Sequence, residues 1–239
     1  MTADQTKTVK GERRRSRQTA ETPPARKRRA VRIIARLREL YPNADCALTH
    51  GTPLELLIAT ILSAQSTDEI VNKVTPVLFR RFRTAEAIAA APLDVLEDIV
   101  HATGFFRQKA KNIKNACRRM VDDFDGAVPD TMDGLTSLPG VARKTANVVL
   151  GTWFGQNVGV VVDTHVGRLA VRLALTWTAR DSKDAVRIEQ DLMHVLPCDA
   201  WTYVGHALIW HGRRVCTARK PDCAACTLRR LCPSADKCG

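Results

Sequence analysis

Residues 131–151, TMDGLTSLPGVARKTANVVLG, spell out a helix, a Pro-Gly turn and a second helix. Gly140 permits a positive φ and a close approach of the backbone to a neighbour. The first amides of the second helix have no intrahelical acceptor, so they form a ready site for an anion such as a phosphate. Lys144 falls in that helix's first turn. There the positive end of the helix dipole disfavours an ammonium and favours the neutral amine that attacks carbon. Taken alone, such a turn is a plain helix connection and such a lysine a solvated one. The rest of the chain shifts the balance.

Upstream, the periodicity is helical throughout. Val31, Ile34, Leu37 and Leu40 mark one helix face, ended by Tyr41-Pro42-Asn43. Pro53 opens an apolar helix, and the Ser66/Glu69 spacing predicts a capping box for another that runs towards Phe82. Pro92 suits a first turn, Gly104 a stop, and residues 108–124 a long basic amphipathic helix. Downstream, helices are expected at 141–154, 164–175, 182–196 and 199–212. Val158–Val162, VGVVV, is locally strand-like but has no partner, so it reads as a buried connector. The fold class is all-α, built of many short helices.

The net charge of +12 favours a polyanionic partner, with nucleic acid ahead of a membrane surface. No apolar run is long enough to span a bilayer, and no secretion signal is visible, which points to the cytoplasm and, in a bacterium, the nucleoid. Residues 1–30 hold ten basic side chains against three acidic ones, with Pro23-Pro24 and few large apolar residues. They read as a disordered basic tail, either inert or a non-specific DNA tether.

Two further constellations carry chemistry. Asp163 follows the VGVVV run and precedes Thr164-His165, which suits a helix N-cap and also a carboxylate held ready to take a proton or to stabilise a cation. Cys216, Cys223, Cys226 and Cys232 fall within seventeen residues. In a reducing compartment that spacing reads as a metal site, equally compatible with zinc and a [4Fe–4S] cluster. Cys46, Cys117 and Cys198 read as small packed hydrophobes, and Cys238 as a loose tail residue.

Together, LPGVARKTANVV, VVDTHVGRLA, ILSAQSTD and the cysteine spacing resemble the endonuclease III family, bifunctional DNA glycosylase/AP lyases of the helix-hairpin-helix superfamily. The resemblance covers roughly residues 31–233. It implies two helical domains flanking a DNA-binding cleft. One is a six-helix domain over residues 46–157, with the hairpin at about 131–154. The other joins residues 31–45 to 158–239 and carries the cluster. It implies that Lys144 is the Schiff-base nucleophile, Asp163 its carboxylate partner, and Cys216, Cys223, Cys226 and Cys232 the ligands of a [4Fe–4S] cluster. Gln65 would fill the gap left by an extruded nucleotide and Phe105 would act as an apolar wedge. Gly140, Ala142, His165 and Lys220 complete the implied DNA-contacting set. The implied partner is double-stranded DNA with damaged, typically oxidised, pyrimidines or abasic sites, bound by a monomer.

This chain departs from the family pattern in four places. Ala142 replaces a common glycine, and the path from Lys144 to Asp163 is one residue longer, around Gln156-Asn157. Asp222 precedes Cys223, and Phe105 replaces a usual leucine. The competing readings are a monofunctional adenine-mismatch glycosylase, a non-catalytic helix-hairpin-helix DNA-binding protein with a structural metal, and an iron–sulfur redox sensor. The first is disfavoured by Lys144, which that relative typically lacks.

Overall fold

A computed structural model describes residues 21–179, 181–235 and 237. Among them there are eleven α-helices, three short 3-10 turns and no strand. The helices are α1 (Pro23–Leu40), α2 (Pro53–Leu62), α3 (Asp68–Arg81), α4 (Ala85–Ala90), α5 (Leu93–Val100) and α6 (Phe106–Phe124). They continue with α7 (Met132–Ser137), α8 (Arg143–Thr152), α9 (Thr164–Arg172), α10 (Ala185–Val195) and α11 (Trp201–Arg214). No helix is long and apolar enough to cross a membrane.

Threonine and aspartate start most of them. Thr22, Thr52, Thr67, Thr84 and Thr131 each accept a hydrogen bond from a first-turn amide, and so do Asp163 and Asp184. The cap of α3 is thus Thr67 rather than the expected Ser66. α4 carries too few residues to show a helical period in the sequence. Its Thr84 cap and the burial of Ala85 and Ile88 hold it in place.

The packing divides the chain into two compact units. The first comprises Asn43–Val161 and Cys198–His206. Its core is the inner faces of α2, α3, α5, α6 and α8, with Leu57, Leu62, Leu96, Ile113, Met120 and Val149 all buried. Each such side chain contributes on the order of 1.5–3 kcal/mol through burial. Cys198–His206 belongs here because Thr202 is pinned at both ends. Its Oγ1 donates to Asn157 Oδ1 at 2.7 Å, and its own amide reaches the same oxygen at 3.0 Å. Asn157, on the path from α8 to α9, thus ties this segment to Thr202. VGVVV is a strandless connector, with Val160, Val161 and Val162 buried. Cys198, expected to be packed, is exposed, because it lies on the rim of this loop.

The second unit comprises the described residues of Met1–Pro42, Val162–Pro197 and Ala207–Gly239. Here the structure corrects the reading of residues 1–30 as a disordered tail. Residues 23–30 are helical, because Thr22 caps α1 and Pro23-Pro24 occupy its first positions, where proline costs no hydrogen bond. Two of the supposed tail cations are structural. Arg29 bonds Glu21 and the carbonyls of Leu173, Ala174 and Leu231, and Arg26 lies 4.6 Å from the centre of the Trp177 ring. The buried face of α1 is Ala30, Ile33, Ile34 and Leu37, whereas Val31 and Leu40, placed on that face by the sequence reading, are 54% and 37% exposed. The expectations for residues 1–20 and for Cys238 lie outside the described residues.

Asp191 of α10 organises the turn after α9. Its buried Oδ2 accepts from Thr176 Oγ1 at 2.6 Å and from the amides of Trp177 and Thr178 at 2.8 Å each. Asp191→Ala leaves these donors without an acceptor. It is expected to lower stability by about 2–4 kcal/mol, read from the urea midpoint at constant slope. An unchanged midpoint would show that water replaces the carboxylate.

Candidate nucleic-acid interface and metal centre

In the first unit, α7 and α8 pack together across Leu138–Ala142. Gly140 has φ +81°, and a Cβ there would lie 2.8 Å from the Asn112 side chain of α6, so both conformation and space demand glycine. Ala142 is the N-cap of α8, with φ −93° and ψ 167°. At that negative φ alanine fits where the family pattern has glycine. Ala142 has no side chain that can bond the helix amides, and α8 begins without a side-chain cap. Its first turn therefore presents backbone N–H groups outward. Lys144, in that turn, is exposed.

The same unit carries three non-glycine residues with left-handed backbone: Gln65, Phe105 and Asp125, the last of which ends α6. Gln65, between α2 and α3, has φ +53° and is exposed. Phe105, at the start of α6, has φ +47° and is 69% exposed. Such conformations cost on the order of 1–3 kcal/mol and persist only where the surroundings impose them. Gln65 and Phe105 were singled out from the sequence; their strain was not legible there.

In the second unit, Asp163 is the N-cap of α9. Its Oδ1 accepts from the amides of His165 and Val166, each at 2.8 Å, and Oδ2 has no hydrogen bond among the described residues. One oxygen thus fixes the carboxylate while the other stays open. His165 lies in the first turn, with Nδ1 3.2 Å from Arg168 Nη2.

Cys216, Cys223, Cys226 and Cys232 line one pocket of about 430 Å³, counting its open mouth, walled by Leu169, Leu173 and Leu228. None forms a disulfide. Among the described residues, no three His, Cys, Asp or Glu side chains converge tightly enough to hold a single metal ion. Lys220 is exposed in the loop between the first two cysteines, where its carbonyl accepts from Thr217 Oγ1 at 2.6 Å. Asp222 accepts from the Ala225 amide, which uses its carboxylate within the loop.

Three residues of this centre were not read from the sequence. Arg168 donates to the carbonyls of Cys216 and Gly212. Arg172 reaches Cys216 Sγ at 3.3 Å and the carbonyls of Thr217 and Ala218 at 2.7 and 2.8 Å. Their i, i+4 spacing on α9 was the available signal. His211 of α11 is buried with Nδ1 3.0 Å from Tyr41 Oη and Nε2 3.5 Å from Cys226 Sγ, and burial pushes its imidazole down to about 4. It stands neutral beside the thiols.

Comparison with known proteins gives a consistent picture. Residues 58–198 match the model of the HhH-GPD superfamily base excision DNA repair protein. The chain is 54% identical to endonuclease III of Synechocystis sp., covering 88% of this chain and 94% of that one. Against endonuclease III of Bacillus subtilis it is 41% identical, over 85% and 91% of the two chains. A solved structure of a trapped endonuclease III–DNA covalent intermediate superposes with a TM-score of 0.82 at 40% identity, covering 88% of this chain and 97% of that one.

Arg172→Ala removes the donor that ties Thr217 and Ala218 to α9. Tryptic cleavage after Arg219 is expected to accelerate by about tenfold or more, the equivalent of one lost charge-assisted hydrogen bond. Cleavage at the wild-type rate would mean that the clamp does not hold the loop.

Proposed function

The chain belongs to the endonuclease III family of base-excision repair glycosylase/lyases, and from that premise we propose that it excises damaged pyrimidines from duplex DNA and cuts the strand through Lys144. The observation that carries this reading is the first turn of α8, where uncapped amides and an exposed lysine share one helix end. The covalent DNA intermediate trapped in the similar endonuclease III supports a reaction that passes through an enzyme–DNA adduct.

A backbone phosphate docks on the amides after Gly140, and Lys220 neutralises another. Binding therefore weakens steeply with salt as counterions cease to be released. Flipping the damaged nucleotide exposes its C1′ at an unstacking cost of a few kcal/mol, lower for a damaged base. Gln65 and Phe105 replace part of the lost stacking. The neutral amine of Lys144 bonds to C1′ as the bond to the base breaks, and the base leaves with a proton. Asp163, with one oxygen committed to the α9 cap, uses the other to accept the lysine proton and to stabilise positive charge on the sugar. The C1′–O4′ bond then breaks, O4′ takes up a proton as the sugar ring opens, and the imine so formed acidifies the C2′ proton. Its removal expels the 3′ phosphate, and water then frees the lysine. Such an enzyme works where the chromosome is, in the cytoplasm.

The four cysteines would hold a [4Fe–4S] cluster, a reading supported by the single apolar-walled pocket that they line together and by the family to which the chain belongs. When bound, the cluster supplies a covalent clasp for the loop that presents Lys220. Arg172 and His211 are placed to donate to its thiolate ligands. A broad visible absorbance, lost in Cys223→Ser, is the expected signature; a colourless protein with stoichiometric zinc would contradict it.

Incision of an abasic duplex tests the catalytic assignments. Lys144→Gln is expected to abolish it. Asp163→Asn keeps a competent cap and is expected to slow base excision by about 10²–10⁴-fold with affinity for abasic DNA retained. Incision by the Lys144 variant, or normal excision by the Asp163 variant, would refute the respective role.

A further inference from the structure

Lys109, in the first turn of α6, is only 4% exposed. Its ammonium makes one hydrogen bond among the described residues, to the carbonyl of Thr103 at 2.7 Å, and it has no carboxylate partner. Burying a cation this way costs free energy, and burial holds the Lys109 amine below the usual lysine range. A methionine would fill the same space without that cost, so the charge has a use that packing does not explain.

The use lies in what the ammonium touches. α5 runs on into a 3-10 turn, His101–Thr103, whose last carbonyls have no further amide to accept from. Thr103 is itself buried, with Oγ1 donating to the Val100 carbonyl at 2.8 Å. Lys109 places a positive charge on the negative end of this helical run. The chain then turns through Gly104 (φ +70°) and Phe105 (φ +47°), two successive positive φ values, before α6 begins. The Lys109 amide donates to the Phe105 carbonyl at 3.1 Å. One residue therefore grips the backbone on both sides of the corner: its side chain holds the element before it and its amide holds the residue at its tip. The aromatic ring at that tip is 69% exposed and has no ring or cation contact among the described residues.

We propose that Lys109 is the positioning residue for the Phe105 wedge: its buried ammonium locks the Gly104–Phe105 corner in the strained form that presents the ring to the DNA stack. The proposal rests on the wedge role given to Phe105 above. Lys109 touches neither substrate nor reacting atoms and acts through that corner.

The test uses the full-length protein as Lys109→Met, Lys109→Gln, Phe105→Ala and the Phe105→Ala double variants. Two substrates are used: a duplex with a tetrahydrofuran abasic analogue opposite 2-aminopurine, and natural abasic DNA, single-stranded and duplex. The 2-aminopurine fluorescence reads unstacking of the opposite base by the wedge. Both Lys109 variants are expected to lose most of the fluorescence rise and to slow duplex incision by about 10–100-fold. Cleavage of single-stranded abasic DNA, where there is no opposite base to displace, is expected to stay at the wild-type rate. It also certifies that each variant is folded. Adding Phe105→Ala is expected to cause no further loss. Wild-type fluorescence in whichever Lys109 variants fold would overturn the proposal, as would equal losses on single-stranded and duplex DNA or full additivity with Phe105→Ala. If Phe105→Ala alone keeps the fluorescence rise, the wedge role itself fails and the proposal falls with it.

Discussion

The start of α8 carries no side-chain cap, and the proposed chemistry depends on that. Threonine or aspartate closes the first turn of most helices; α5, α6 and α8 start without a side-chain cap, and at α8 the capping position is Ala142, at a loss of about 0.5–2 kcal/mol relative to a good cap. The vacancy is held in shape from beneath. Gly140 bends against the Asn112 side chain of α6 at a positive φ, where a Cβ would not fit. On the proposed reading a phosphate completes this helix end, and Lys144 stands in the turn where that phosphate would fix the sugar.

Strain is concentrated in the same way. Gln65 and Phe105 adopt left-handed backbone at exposed corners between helices, as Asp125 does after α6. The side chains of Gln65 and Phe105 are both exposed. The rigid parts are the flanking helices, whose cores are aliphatic and closely packed, and the buried Lys109 ammonium spans one of the two corners. In the other unit Asp163 divides its oxygens between structure and function. Arg168 and Arg172 extend from the same helix to the loop of the four cysteines, so the carboxylate and the cysteine loop share one scaffold.

The all-α class, the hairpin, the connector character of VGVVV and most helix positions were legible because helical period, proline and glycine are local signals. What failed was also local in origin. Pro23-Pro24 and a run of cations resemble a tail, yet the same prolines are good first-turn residues. Only distant carbonyls, at Leu173, Ala174 and Leu231, show that Arg29 is structural. Val31 was placed on the buried face of α1 because the small Ala30 carries little hydrophobic signal. Arg168, Arg172 and His211 escaped notice because their partners are backbone carbonyls, a tyrosine and thiols far away in sequence. The strain at Gln65 and Phe105 has no signature in residue type at all.

The central claim is that the amine at the bare end of α8 is the nucleophile. Borohydride reduction of the protein with abasic duplex, followed by proteolysis and mass spectrometry of the cross-linked peptide, addresses it directly. The account requires the sugar remnant on Lys144. A remnant on Lys109, Lys220 or any other amine would contradict it.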